Sequence, residues 1–243
     1  MSTSGSMSLT DHLAELRRRL LILVFSVGIF FLASYYFSSE LLELIQNPIG
    51  EEKLVFLSPT EGFISHIKIS FYSGLFLSIP LILFHIWKFC APGLFKNEKK
   101  YLASFIIISS FSFIIGAFFC YFFILPYGLN FLLSFASETL SPQISIAFYI
   151  SFVFKLILIF GLVFQVPLII ILLVKMGVLS VSSLANNRGY VFVGSFAASA
   201  ILTPPDVVTQ IFLALPLIIL FEISIIAGRL IERSKKTKQD IDE

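Results

Sequence analysis

The chain has 243 residues, of which 57% are hydrophobic and only 13% charged, with a formal net charge of +2 and a mean hydropathy of +0.95. A soluble domain carries about 25% charged residues, so this composition excludes an ordinary water-soluble globular protein and places the chain in a bilayer. The small net charge excludes little by itself; its distribution along the chain is what informs.

The N-terminal arm reads as a helix. Ser8 and Asp11 fit a capping box, and Leu9, Leu13, Leu16 and Leu20 share one face at helical spacing. Within HLAELRRRL, Glu15 stands three and four residues before Arg18 and Arg19, a spacing that permits an intrahelical ion pair worth about 0.2–0.5 kcal/mol. Six apolar segments follow: Leu20–Phe37, Ile67–Phe89, Leu102–Leu125, Phe148–Val174, Tyr190–Leu202 and Val207–Ala227. Most reach the ~20 residues that cross a ~30 Å hydrocarbon core as helix. The fifth is short, covering about 20 Å at a rise of 1.5 Å per residue. The first has no A-x-A cleavage site and reads as a retained anchor rather than a secretory signal.

The loop from Ser38 to His66 contains ELLELIQNPIG, where Glu40 and Glu43 alternate with leucines and Ile45. This predicts an amphipathic segment lying on an interface, ended by Pro48 and Gly50. The next loop carries LFKNEKKYL, in which Glu98 is flanked by lysines as Glu15 is flanked by arginines. The two cysteines, Cys90 and Cys120, fall near opposite faces of this topology, roughly 25–30 Å apart, beyond the ~7 Å that a disulfide allows. Free thiols are expected. No CxxC, HExxH or Cys/His cluster marks a metal site.

Pro80, Pro126, Pro167 and Pro216 fall within or at the ends of spans and predict kinked helices forming a curved wall. Polar groups at depth are costly and face protein or water. Gln165 lies mid-way along the fourth span, suited either to an interhelical hydrogen bond or to a polar spot on a water-accessible face. Lys155 lies ten residues earlier and can snorkel outward. Glu222 lies seven residues before Arg229, and Lys155 and Glu222 sit towards opposite faces. ILTPPDVVTQ joins the last two spans, with Asp206 a good N-cap. Thr203 and Gln210 offer polar contacts to a partner helix, worth roughly 0.6–2 kcal/mol each in lipid. Together with Ala200 they mark the short fifth span and the start of the sixth as a partner-docking, bilayer-thinning edge.

With the N-terminus inside, the inner flanks collect Arg17, Arg18, Arg19, Lys88, Lys96, Lys99, Lys100, Lys175, Arg188, Arg229, Arg233, Lys235, Lys236 and Lys238, which is 14 of the 17 basic residues. Both termini are therefore expected in the cytoplasm. The organisation is an arm over residues 1–19, an all-α domain of six transmembrane helices over 20–228, and a charged tail over 229–243. Glu15 and Glu98 then share the cytoplasmic face, an acidic pair in a basic setting that suits a cationic peptide. A secondary transporter of a small solute would also show broken helices and polar groups at depth, but usually in repeated halves. Residues 1–126 and 127–243 show no such symmetry. His12, His66 and His85 are scattered without nucleophile–base spacing, so no enzyme is read.

HLAELRRRL, SPTEGFISHIKIS, IWKFCAPGLFKNEKK, YISFVFKL, FGLVFQVP, SFAASAILTPPDVVTQ and LFEISI resemble, in order, the motifs of the TatC family, a subunit of the twin-arginine protein translocase. The resemblance runs from about residue 8 to 228 and leaves out the leading MSTSGS. It implies six helices in a glove-like arrangement in a bacterial-type plasma membrane, without a cofactor or a nucleic-acid partner. It also implies a receptor for twin-arginine signal peptides of folded cargo, working in an oligomeric complex with TatA- and TatB-like single-span partners and driven by the proton-motive force. By the same resemblance the signal site is Glu15 and Glu98, supported by Leu16, Arg17, Phe89 and Pro92. Thr203, Asp206 and Gln210 match the partner-helix region, and Pro48 matches a proline of the first outer loop. One position departs from the pattern: the family most often has Glu where this chain has Gln165. An amide does not exchange a proton at physiological pH, which leaves this position a hydrogen-bonding role.

Overall fold

The structure is a computed structural model that describes residues 9–50, 52–90, 102–137, 141–202 and 207–242. Ser8 of the expected capping box and the site residues Glu98, Pro92, Thr203 and Asp206 lie outside the described residues. The described residues are almost wholly helical. In order it forms α1 (Leu9–Tyr36), α2 (Ser38–Gln46), a 3-10 turn (Asn47–Ile49), β1 (Leu54–Val55), α3 (Glu61–Cys90) and α4 (Leu102–Phe119). A π-helical turn (Cys120–Ile124), α5 (Leu125–Leu133), β2 (Ile144–Ser145), α6 (Ile146–Val163) and α7 (Val166–Lys175) follow, then α8 (Val181–Asn186), α9 (Arg188–Leu202) and α10 (Val207–Asp242). The two short strands pair.

Among the described residues, five stretches are long and apolar enough to cross a membrane: Leu13–Tyr36, Glu61–Lys88, Ala103–Leu133, Ile146–Lys175 and Val207–Arg233. They correspond to five of the six expected segments. The other is α9, whose 15 residues fall short of that length. The predicted amphipathic segment is α2, which buries Ile45 and ends at the 3-10 turn holding Pro48.

The expected prolines disturb the helices in different ways. Pro80 and Pro216 sit inside α3 and α10, which run through them. Pro126 follows the π-turn, whose wider winding absorbs the missing N–H donor. Pro167 follows a break at Phe164–Gln165 that separates α6 from α7. Ser112 donates to the Phe164 carbonyl there at 2.7 Å, which is how a broken helix remains tolerable in an apolar medium.

The chain divides into two compact units. The first comprises Met1–Ile45, Val55–Ser110 and Ser145–Ser151. Its framework is α1 packed along α3. Arg19 meets His85 and Phe31 meets Gly74, so the two helices are antiparallel, and Ser38 at the start of α2 continues the same register against His66. Gly74 permits the approach: a Cβ there would lie 2.6 Å from the Phe31 backbone nitrogen. Ser65, Ser70, Ser73 and Ser78 are buried along α3. Ser70 and Ser78 bond carbonyls one turn back at 2.6 and 2.7 Å, so these two small polar residues admit close packing with their own polarity met.

The second unit comprises Gln46–Leu54, Phe111–Ile144 and Phe152–Glu243. Ile170 and Val174 of α7, Val181 of α8, and Phe221 and Ile225 of α10 form a buried cluster. Gly177, with φ +75°, ends α7: its N–H reaches Val174 and that of Val178 reaches Leu173, both at 3.0 Å. This Schellman arrangement turns the chain into α8.

Candidate functional site

At the Arg19–His85 end of the first unit, α1 carries Glu15 one helical turn before Arg19. Arg19 Nε donates to Glu15 Oε1 at 3.1 Å, Nη2 donates to the same oxygen at closer range, and Nη1 donates to the His85 carbonyl of α3 at 3.0 Å. The guanidinium is therefore held by two helices. Its side chain is 11% exposed, against 32% for Glu15. The i, i+4 pair that the spacing permits is formed; its third arm to α3 is a tertiary contact that spacing alone could not reveal. Leu16 and Arg17 are exposed beside it.

The α3 end that meets Arg19 is also where residues 91–101, which carry Glu98, leave the helix. Trp87 fixes this end. Its Nε1 donates to the buried Ser109 hydroxyl of α4 at 3.0 Å, and its ring packs edge-on against Phe105 at 5.1 Å. Both helices flanking the Glu98 segment are thus tied together. The ammonium of Lys88 lies 5.5 Å from the Phe84 ring centroid. Phe89 lies in the last turn of α3, and its side chain is outside the description.

At the opposite end of the same unit stands a polar cluster that sequence reasoning did not single out. The buried Glu61 carboxylate accepts from the Leu57 N–H at 2.6 Å, the Ser58 N–H at 3.3 Å, the Ala147 N–H at 3.0 Å and, more closely, the Ser145 hydroxyl. One carboxylate thereby serves the N-termini of α3 and α6, where unpaired N–H groups and the helix dipole favour negative charge. Lys68 adds bonds to the Ala147 carbonyl at 3.3 Å and the Ser151 hydroxyl at 3.0 Å. The spacing Ser58-Pro-Thr-Glu61 carries the capping-box signal that could have found the first half of this cluster; nothing local encodes the second.

In the second unit Glu222 of α10 is paired with Arg188, the first residue of α9. Nε lies 2.7 Å from Oε1 and Nη2 donates to Oε2 at 2.9 Å, with both side chains half-exposed. Lys155 is exposed on α6. Gln165 is 5% exposed at the α6–α7 break, where its Nε2 reaches the Gly161 carbonyl at 3.5 Å. It therefore belongs to the interior of this unit. Gln210 donates to the Phe196 carbonyl at 2.9 Å, which ties α10 to α9, and Ala200 is exposed on α9.

Residues 11–216 match the family described as "Sec-independent protein translocase protein (TatC)". The chain belongs to the TatC family. A TatC from Desulforapulum autotrophicum is 39% identical over 236 residues, spanning 95% of this chain and 87% of that one. A TatC from Aquifex aeolicus is 40% identical over 239 residues, spanning 96% and 99%. A solved structure described as "Crystal Structure of Twin Arginine Translocase Receptor- TatC" superposes with a TM-score of 0.80 at 40% identity, covering 90% of this chain and 98% of that one. Membership makes the chain a multi-pass membrane component of a protein translocase, from a transport family rather than an enzyme family.

Proposed function

We propose that this chain is the twin-arginine signal-peptide receptor and core subunit of a translocase that exports folded proteins. Glu15 and Glu98 bind the paired arginines, and Leu16, Arg17, Phe89 and Pro92 support them. The observation that carries this reading is the arginine fork already seated on Glu15: the carboxylate sits where a guanidinium can be held and partly desolvated. Arginine presents a rigid planar fork to a carboxylate and lysine does not, so two such carboxylates read a pair of arginines better than any pair of generic cations.

The charge asymmetry supports six membrane helices, α9 included, with both termini cytoplasmic in a bacterial-type inner membrane and a glove-like arrangement. The charged arm over 1–19 and the tail over 229–243 flank that domain. TatA- and TatB-like single-span proteins dock at the edge formed by Ala200, Thr203, Asp206 and Gln210, with Pro48 shaping the outer loop, and the proton-motive force drives transport. Gln165, an amide, serves this cycle by hydrogen bonding.

Binding of a synthetic twin-arginine peptide to Glu15→Ala and Glu98→Ala tests the site. Truncating one partner of a buried charge pair costs about 2–5 kcal/mol, so each variant is expected to bind at least about thirtyfold more weakly. Unchanged affinity in both variants would sink the assignment.

A further inference from the structure

We propose that Arg19 is a built-in competitor of the signal arginine: it occupies Glu15 in the resting receptor and sets the affinity threshold a peptide must pass. This rests on the signal-peptide reading above and adds a residue that the reading does not assign.

Three features of the first unit separate Arg19 from an ordinary surface partner. Its guanidinium puts two nitrogens on one Glu15 oxygen. Its third nitrogen is anchored on α3, at the His85 carbonyl. Its side chain is 11% exposed, while Arg17 and Arg18 on the same turn are exposed. A solvated i, i+4 pair exchanges freely with water; this guanidinium is pre-placed, because the bond to α3 fixes where the fork points. It is also the same chemical group as the proposed ligand. A peptide arginine therefore gains at Glu15 only what exceeds the contact it removes. The His85 carbonyl can retain Nη1 while the other two nitrogens turn away, so expulsion need not release the whole side chain.

The consequence is quantitative. When the competent state is only a fraction of the population, the apparent dissociation constant is the intrinsic one divided by that fraction. A Glu15 open about one-tenth of the time binds about tenfold more weakly than an open one. Every ligand of Glu15 bears the same factor. A twin-lysine peptide, already handicapped by lacking the fork, then falls below useful affinity while a twin-arginine peptide remains above it.

The full-length protein in lipid nanodiscs is titrated with a fluorescent synthetic twin-arginine peptide and with its twin-lysine counterpart. Arg19→Gln is expected to tighten binding of both peptides by the same factor, about fivefold to tenfold. Arg19→Lys, which keeps the charge and loses the fork, is expected to give a smaller gain, again equal for both. Added to Glu15→Gln, Arg19→Gln is expected to give no gain. Equal gains that vanish without the Glu15 carboxylate mark competition; a merely structural loss would weaken binding. If Glu15→Gln abolishes binding and neither Arg19 variant tightens it, the proposal is overturned and the site stands. If Glu15→Gln binds like the wild type, the site falls and the proposal with it. Should Arg19→Gln not yield folded protein, Arg19→Lys decides alone, and an unchanged or weaker affinity overturns the proposal.

Discussion

Glu61 and Glu222 are carboxylates in apolar helices, yet they do different work. Glu61 is 6% exposed and gathers donors from two helix N-termini. A hydrogen bond to a charged group contributes about 1.5–3 kcal/mol, and an amide in its place would turn an NH₂ towards N–H donors. Glu61→Gln is therefore expected to lower the thermal unfolding midpoint in detergent through a loss of about 2 kcal/mol or more; an unmoved midpoint would contradict the clamp. Glu222 instead shares a bidentate contact with Arg188, both half-exposed. In water such a pair is worth at most about 1 kcal/mol, whereas lipid around it would raise that value. A double-mutant cycle with Arg188→Gln and Glu222→Gln in nanodiscs is expected to give a coupling above about 1 kcal/mol, and a value near zero would put the pair in water. The partnership was not legible in the sequence, because the residues lie on different helices and only tertiary packing aligns them. Glu15 with Arg19 was legible, since one helical turn joins them.

Between elements, the second unit packs by exchanging large for small. Gly161 of α6 faces Phe113, where a Cβ would come within 2.4 Å of the ring, and Phe160 of α6 and Phe164 of the break that follows it close over Gly116 of α4. Overpacking such a contact costs about 1–3 kcal/mol. Gly161→Ala is expected to destabilise by that amount, while Gly194→Ala on α9, with nothing within 4 Å, is expected to be neutral or to gain up to about 1 kcal/mol from helix propensity. Equal effects of the two substitutions on thermal stability in detergent would refute this packing. The apolar segments themselves were readable because each is a run of side chains that tolerate hydrocarbon. Their ends were not: α3 starts at Glu61 rather than Ile67, and helix continues past Leu125 to Leu133. Hydropathy records which side chains suit lipid, whereas a helix begins where its first N–H groups find acceptors, and polar caps supply those. The break at Gln165 was similarly hidden, since Pro167 predicts a kink but not that Ser112 would stabilise an interruption.

For the molecule as a whole, the helices are unequal in a way that a bilayer must answer. Five stretches of 24 to 31 residues would each exceed a ~30 Å core at 1.5 Å per residue and can tilt or kink to fit. The 15 residues of α9 reach only about 22 Å, and tilting makes a short helix shorter still. Arg188 at one end of α9 is pinned to Glu222, and Phe196 within it is pinned to Gln210, so α9 cannot slide along α10 to share the deficit between the two faces. For α9 as the sixth span proposed above, what remains is local thinning of the lipid or cover by another helix, at a cost of fractions of a kcal/mol per Å of mismatch. In the isolated protein only thinning is available. Reconstituted alone in phosphatidylcholine vesicles, the chain is therefore expected to keep twin-arginine peptide binding to higher temperature in bilayers of about fourteen-carbon acyl chains than in bilayers of about twenty-two. Adding a single-span partner is expected to narrow that difference. Indifference to acyl length without the partner would mean that α9 is not membrane-embedded along its axis, and would remove the physical basis for a docking edge at Ala200 and Gln210.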